Sequence, residues 1–372
     1  MKRLSFATFI LALTIVATGC TDQALAPSSD GVSVEAQTQA ADTPDPFDVL
    51  SRAHRGAPGS VKSGTATFGF IQGLAPAPNG DIIVADLFAG IGSRTQGIEI
   101  DWPGVTDIGP IGRSALWATV GPVGDGDDCI TGETTFLDCG QGLYRTSRGE
   151  SRLIADLFAF EDEHNPDGVF GLAEDSNPYH VVSFGGRSAL VVDAAGNDLL
   201  RVDNRGRIDV LAIFPPGDPD PVLGLPPESV PTSVAVGPDG QYYVGELTGF
   251  PATPGISSIW KVDSGAKNPA GADHPVCPSP DCVKMFDGGF TSIIDLAFGP
   301  DGHLYVAELD EQTWLAAPSA DGGTINKCDL DVGACTEVAT GILFLTAITF
   351  GPDGTLWATS NFATSVGAIP TP

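Results

Sequence analysis

The sequence repeats a turn, and that repeat restricts the fold more than any other feature. "SVAVGPDGQYYVGELTG" fills residues 233–249, "GPDGHLYVAEL" returns at 299–309, "GPDGTLWATSN" at 351–361, and a degenerate "APNGDIIVADL" at 77–87. Each copy joins a short apolar strand ("SVAV", "DLAF", "AITF") through a turn to a second, alternating strand. In the turn, Pro presets φ and Gly takes the position that other residues resist. Along the second strand, side chains alternate, so Tyr243 and Gly245 share one face and Tyr242, Val244 and Glu246 the other.

Six segments fit that second strand: "IIVAD" (82–86), "LWATV" (116–120), "ALVVD" (189–193), "YYVGE" (242–246), "LYVAE" (304–308) and "LWATS" (356–360). Between them lie hairpins: "GLYRTSRGESRLIADL" (142–157), "DLLRVDNRGRIDVLAI" (198–213) and "TINKCDLDVGACTEVA" (324–339). "SSIWKVDSG" followed by "CVKMFDGGF" is the same unit stretched by an insertion. A turn-linked pair plus a hairpin makes four strands. Six such units predict an all-β chain, a six-bladed β-propeller of four-stranded antiparallel blades. The repeat of roughly fifty residues is too long for β-helix coils, and no midpoint linker marks two sandwiches. The sixth blade is short of sequence, and "SVKSGTATFGF" (60–70) has the strand character to supply its outer strand. Closing the ring this way avoids an open edge.

High Gly and Pro counts, 47 and 30 in 372 residues, agree with many short strands and turns. The formal net charge of -29 repels nucleic acid and anionic headgroups, so polyanion partners are excluded.

The N-terminus reads as an export signal. Two basic residues precede an apolar stretch from Leu4 to Val16, which is too short for a comfortable bilayer span. The stretch ends in Ala17-Thr18-Gly19-Cys20, which resembles the bacterial lipobox. That resemblance implies lipidation of Cys20 and a lipoprotein anchored to a bacterial membrane, periplasmic or cell-surface. Several acyl chains make a durable anchor, whereas one is marginal. The domains expected are a lipoprotein-type signal peptide (1–20), a flexible tether (21–45) and the propeller (46–372).

Apart from Cys20, six cysteines fall in close pairs: Cys129 with Cys139, Cys277 with Cys282, and Cys328 with Cys335. Six cysteines allow 15 connectivities. An exported chain makes disulfides the default, and local pairing would fasten loops. None has zinc spacing with a nearby His.

"ADLFAFEDEHNPDG", "DSNPYHVV", "VVDAAGNDLLRV", "ESVPTSVAVGPDGQYYVGELTGFP" and "FTSIIDLAFGPDGHLYVAEL" resemble the ScyD/ScyE family over roughly residues 64–361. These are exported bacterial propellers, akin in pattern to NHL-repeat proteins and named after members encoded with scytonemin biosynthesis. The membership is broader than pigment makers. The cysteine-bearing insertions depart from the pattern, and the second blade lacks a clean Pro-Asp-Gly turn.

Four second strands end in carboxylates: Asp86, Asp193, Glu246 and Glu308. If these ends meet at the channel mouth, they would favour a bound cation. Calcium, with six to eight oxygen ligands, suits Asp193, Glu246 and Glu308. Alternatively, each carboxylate accepts hydrogen bonds within its own blade. Asn and Asp ligands at inner-strand entries, as in calcium-dependent lactonases, are matched only by Asn177 and Asp295. Tyr179 and His180 join the channel-mouth candidates. The acidic runs "EDEHNPDG" (161–168) and "EDSNPYH" (174–180) place histidines beside carboxylates, a pattern compatible with a general base. "GDGDD" (124–128) departs from EF-hand spacing, and no nucleophile elbow, Walker loop or dinucleotide fingerprint occurs. His54, His274 and His303 stand alone. The main expectation is a module binding a small molecule or protein partner. The alternative is an enzyme with its site at the channel mouth, either a metal-assisted, lactonase-like hydrolase or one that processes a secondary metabolite.

Fatty-acid labelling of the exported chain tests the anchor. Label should enter the wild type and be lost in Cys20→Ala; equal labelling of both would overturn the lipobox reading.

Overall fold

The computed structural model describes residues 68–122, 140–147, 150–265 and 275–371. Cys20, the tether, residues 60–67, segment 124–128, Cys129 and Cys139 lie outside them.

The turns form for the reasons the repeat suggests. Gly240, Gly302 and Gly354 have φ of 77°, 81° and 84°, the left-handed region that glycine adopts without strain. The preceding aspartates fasten the turns: Asp239, Asp301 and Asp353 each accept the amide two residues on.

Blade 1 contains β1 (Ile71–Pro76), β2 (Ile82–Asp86), β3 (Gly90–Ser93) and β4 (Gly97–Asp101). Blade 2 contains β5 (Val105–Ile111), β6 (Ala115–Val120), β7 (Gly142–Ser147) and β8 (Glu150–Asp156). A helix, α1 (Leu157–His164), and a 3-10 turn, Pro166–Phe170, lead to blade 3. That blade has β9 (Pro178–Phe184), β10 (Ser188–Asp193), β11 (Asp198–Asp203) and β12 (Ile208–Ile213). Blade 4 has β13 (Pro231–Val236), β14 (Tyr242–Glu246), β15 (Ser257–Val262) and β16 (Cys282–Phe290). Blade 5 has β17 (Ile293–Phe298), β18 (Leu304–Glu308), β19 (Gly323–Asp329) and β20 (Ala334–Ile342). Blade 6 has β21 (Ile348–Phe350), β22 (Leu356–Ser360) and β23 (Ser365–Ile369).

Each blade is an antiparallel meander, so among the described residues there are five four-stranded sheets and one of three strands. The first strands β1, β5, β9, β13, β17 and β21 neighbour one another in a closed ring. The six second strands expected from sequence are β2, β6, β10, β14, β18 and β22. The chain just before β1 lies against blade 6, with Phe68 N–H donating to Thr364 O at 3.1 Å and Ile71 N–H to Ala363 O at 2.8 Å.

Blades pack through apolar faces, and the repeated aromatic of the second strand recurs at these joints. Tyr243 meets Phe298 edge-on at 5.2 Å, Tyr305 meets Phe350 at 4.9 Å, and the Arg94 guanidinium lies 4.5 Å over Trp357. Polar clips add to them near the axis. Thr106 Oγ1 donates to Pro178 O at 2.6 Å, Thr232 Oγ1 to Ile293 O at 2.8 Å, and Thr346 Oγ1 to Ile71 O at 2.6 Å. These clips join blade 2 to 3, 4 to 5, and 6 to 1.

Two disulfides are present, Cys277–Cys282 at the start of β16 and Cys328–Cys335 across the β19–β20 hairpin. Such bonds fit an oxidising compartment outside the cytosol. Among the described residues, no helix is long and apolar enough to cross a membrane.

Thr346→Val tests ring closure. It keeps the shape but strands the buried Ile71 carbonyl, an expected loss of about 1–3 kcal/mol in urea unfolding. No change would mean that the clip contributes nothing to closure.

Candidate functional site at the channel mouth

The repeated carboxylates are turned into their own blades. Asp86 Oδ2 accepts the Gly69 and Phe70 amides at 2.5 and 3.0 Å, and its Oδ1 accepts those of Phe88 and Ala89, both at 3.0 Å. Asp193 accepts Ser176 Oγ–H at 2.5 Å and the amides of Asn177, Ala195 and Gly196. Glu246 accepts Ser229 Oγ–H at 2.6 Å and the Trp260 indole N–H. Glu308 accepts the Thr291 amide and Asn326 Nδ2–H. All four are buried. Burial pushes Asp193 up to about 6 and both Glu246 and Glu308 up to about 7, against the lowering effect of these donors. Each carboxylate ties the segment entering its blade, or a neighbouring strand, to the end of the second strand. Among the described residues, no group of three or more His, Cys, Asp or Glu side chains, Asp193, Glu246 and Glu308 included, is placed to hold a metal ion. Asn177 is buried and contributes its backbone amide to Asp193.

The axis is lined by the first strands, in register. A register shift near the start of β1, β5, β9, β13 and β17 sets the second and third residues of each strand as successive layers. The third-residue layer includes Gly73, Asp107, His180, Ser233 and Asp295, with Ala347 just before β21. A Cβ at Gly73 would stand 2.2 Å from Asp107 Oδ1 and 2.8 Å from Asp107 Cα, so only glycine fits there.

His180 joins three blades across this layer. Its Nε2 lies 3.5 Å from Asp107 Oδ2 and 3.4 Å from Asp295 Oδ1. Asp107 Oδ2 also accepts Val181 N–H from blade 3 at 2.9 Å, and Asp295 Oδ2 accepts Ile348 N–H from blade 6 at 2.7 Å. Burial alone would depress the imidazolium; Asp107 and Asp295 outweigh it and raise His180 to about 9. Burial raises Asp107 to about 7, opposed by His180 and the Val181 amide. The Val234 amide approaches Nδ1 at 3.4 Å, a contact that suits a neutral ring. Two buried carboxylates against one long amide contact favour the cationic ring.

Above this layer, at the channel mouth, is an almost wholly apolar cleft. It encloses a cavity volume of about 40 Å³. Phe70, Leu87, Leu247, Leu309, Trp314 and Phe344 form its walls; Gln72, Tyr179, Ile294 and Thr346 belong to its deeper lining. Gln72 hydrogen-bonds Tyr179, while Gln72 Oε1 is buried with no partner. Burial pushes the Tyr179 phenol well above its ordinary range, so it stays neutral.

Tyr179, His180 and Asp295 are therefore brought together near the axis. Asp86, Asn177, Asp193, Glu246 and Glu308 serve their blades instead. Of the acidic runs, Glu161 and Asp167 are buried, whereas Asp162, Glu163, His164 and Glu174 are exposed. Asp107, Gln72 and the cleft aromatics were not among the residues singled out as candidates from the sequence. "VTDI" (105–108) aligns with "IIDL" (293–296) as an inner-strand entry, the signal that would have found Asp107.

His180→Ala leaves Asp107 and Asp295 buried without their cation, at an expected cost of about 3–5 kcal/mol near neutral pH. Because the folded pKa lies above an unfolded value near 6.5, the His180 contribution is complete below that value. It fades as pH rises through about 9. The stability gap between wild type and variant should narrow over that window; a constant gap would contradict the ion pair.

No protein-family model matches the chain, and no curated protein matches it. Solved structures are similar over most of its length. A gluconolactonase from Xanthomonas campestris is 12% identical, with 83% of this chain and 87% of that one covered and a TM-score of 0.52. A catalytically inactive virginiamycin B lyase from Staphylococcus aureus, with quinupristin, is 14% identical, covering 83% and 86% at a TM-score of 0.44. The nidogen/laminin complex gives 12%, 80%, 88% and 0.47. At these identities the likeness is one of fold, that of the six-bladed β-propeller.

Proposed function

We propose that this exported propeller binds a small, mostly apolar or aromatic molecule in the channel-mouth cleft. The observation that carries the reading is an apolar cleft holding one unsatisfied acceptor, Gln72 Oε1. Apolar walls supply affinity through burial, and a buried polar atom orients the ligand. An unpaired buried acceptor is costly, so a ligand donor placed against it gains more than it would in water. The favoured ligand therefore carries an O–H or N–H on an apolar frame. It is neutral or cationic, because the chain carries a net charge of -29. The lipobox-like "ATGC" supports anchoring of this propeller to a membrane by its N-terminus.

The enzymatic alternative rests on His180. Its side chain keeps 17% exposure in the channel and is held as a cation between two aspartates. In that state it suits proton donation, as a general acid, better than proton abstraction.

Calorimetry with 2-naphthol and naphthalene tests the binding reading. The naphthol should bind several-fold more tightly to the wild type, and Gln72→Leu should abolish that preference while retaining apolar binding. Absence of binding by either compound at millimolar concentration would overturn the proposal.

A further inference from the structure

The two ends of the propeller differ in what they expose. Loops leaving the second strands and segments entering the first strands meet at the mouth end, and the Pro-Asp-Gly turns lie at the other. Among the described residues, nine of the twelve exposed large apolar side chains belong to loops of the mouth end. Only Val332 belongs to the turns of the other end, so the exposure is gathered on one face rather than scattered.

This face is continuous with the cleft. Phe88 meets Phe70 at 6.2 Å, Phe70 meets Phe344 at 6.0 Å, and Phe344 meets Phe362 at 6.3 Å. Two exposed rings thus flank two that wall the cleft. The segment entering blade 4 raises Val222 and Leu223, which are 86% and 53% exposed. Asp220 closes that tip. Its Oδ1 accepts the Val222 and Leu223 amides at 2.9 and 2.8 Å, its carbonyl accepts Gly224 N–H at 2.7 Å, and its own N–H donates to Leu225 O at 2.9 Å. Thr253 Oγ1 donates to Asp220 Oδ2 at 2.7 Å and holds the tip beside the loop that exposes Phe250. Such a tip, with its amides satisfied and apolar side chains outward, enters an apolar medium without stranding backbone donors.

Charge is missing from the same loops. Segments 87–89, 247–256, 343–346 and 361–364 contain no Asp, Glu, Lys or Arg, in a chain whose formal net charge is -29. A charge is costly in a loop that faces lipid and harmless in one that faces water. The described chain also enters at this end: Phe68 N–H donates to Thr364 O at 3.1 Å, in the loop that carries Phe362. The residues before Phe68, which lead back to Cys20, therefore join the body on the apolar face.

We propose that the mouth end is a membrane-docking face. It seats Phe88, Phe250, Phe362 and the tip of Val222 and Leu223 in the interface of a zwitterionic phospholipid bilayer. The proposal rests on the N-terminal anchoring proposed above, and not on a ligand in the cleft. An anchor at Cys20 holds the body near the surface, so the apolar side chains need only orient it. Headgroups without net charge suit the face, because anionic ones repel so acidic a chain. A second copy of the chain fits less well, since it brings two strongly acidic bodies together. In this orientation the cleft opens toward the bilayer, where apolar molecules partition.

The test is tryptophan scanning of the processed chain reconstituted in phosphatidylcholine vesicles with brominated acyl chains, the wild type giving the baseline. Phe88→Trp, Leu223→Trp and Phe362→Trp should each add fluorescence that bromine quenches, about twofold or more beyond the quenching in Val332→Trp at the opposite end. Equal quenching at all these positions, or none at any, in a chain that floats with the vesicles would overturn the docking face and leave the anchor standing. A chain that does not float with the vesicles would overturn both. Blue-shifted emission from the mouth-end positions without lipid, indifferent to bromine, would place a second copy there and overturn the proposal. The cleft is read separately, by the naphthol calorimetry.

Discussion

The ring depends on how its axis is neutralised. Six inner strands converge there, and their inward residues must fill the space without stranding charge. Here a single imidazole stands between two carboxylates from other blades. Asp107 and Asp295 each spend one oxygen on an amide of the next blade, Val181 and Ile348. His180 supplies the positive charge that both face. Blades 2, 3, 5 and 6 are thus tied through one layer, and Gly73 leaves the room that Asp107 needs. A buried set of this kind is costly to break.

The repeated acid has a different purpose from the axial pair. A blade must begin where the previous one ends, and the entering segment has amides that no ladder satisfies. The carboxylate at the end of the second strand sits beside that segment in Asp86, Asp193 and Glu308. In Glu246 the same position holds Ser229 and Trp260 instead. Repetition of the acid follows from repetition of the joint.

Much of the fold was legible because turn chemistry and alternation are local. Gly240, Gly302 and Gly354 occupy the turn position for which glycine is needed, and the second strands fall where "YYVGE" and its copies stand. The site was legible only in part. Tyr179, His180 and Asp295 could be named from inner-strand entries, but Asp107 lies in a blade without the Pro-Asp-Gly marker. The cleft draws Phe70, Trp314 and Phe344 from loops of different blades, so no local pattern announces it.

The central claim is that a protonated His180 closes the axis. Nitrogen-15 NMR of the histidine ring in the processed protein at pH 7.5 measures this directly. Both ring nitrogens of His180 should carry protons, one being lost only near pH 9. A neutral ring at that pH, with Nδ1 bare and facing the Val234 amide, would contradict it.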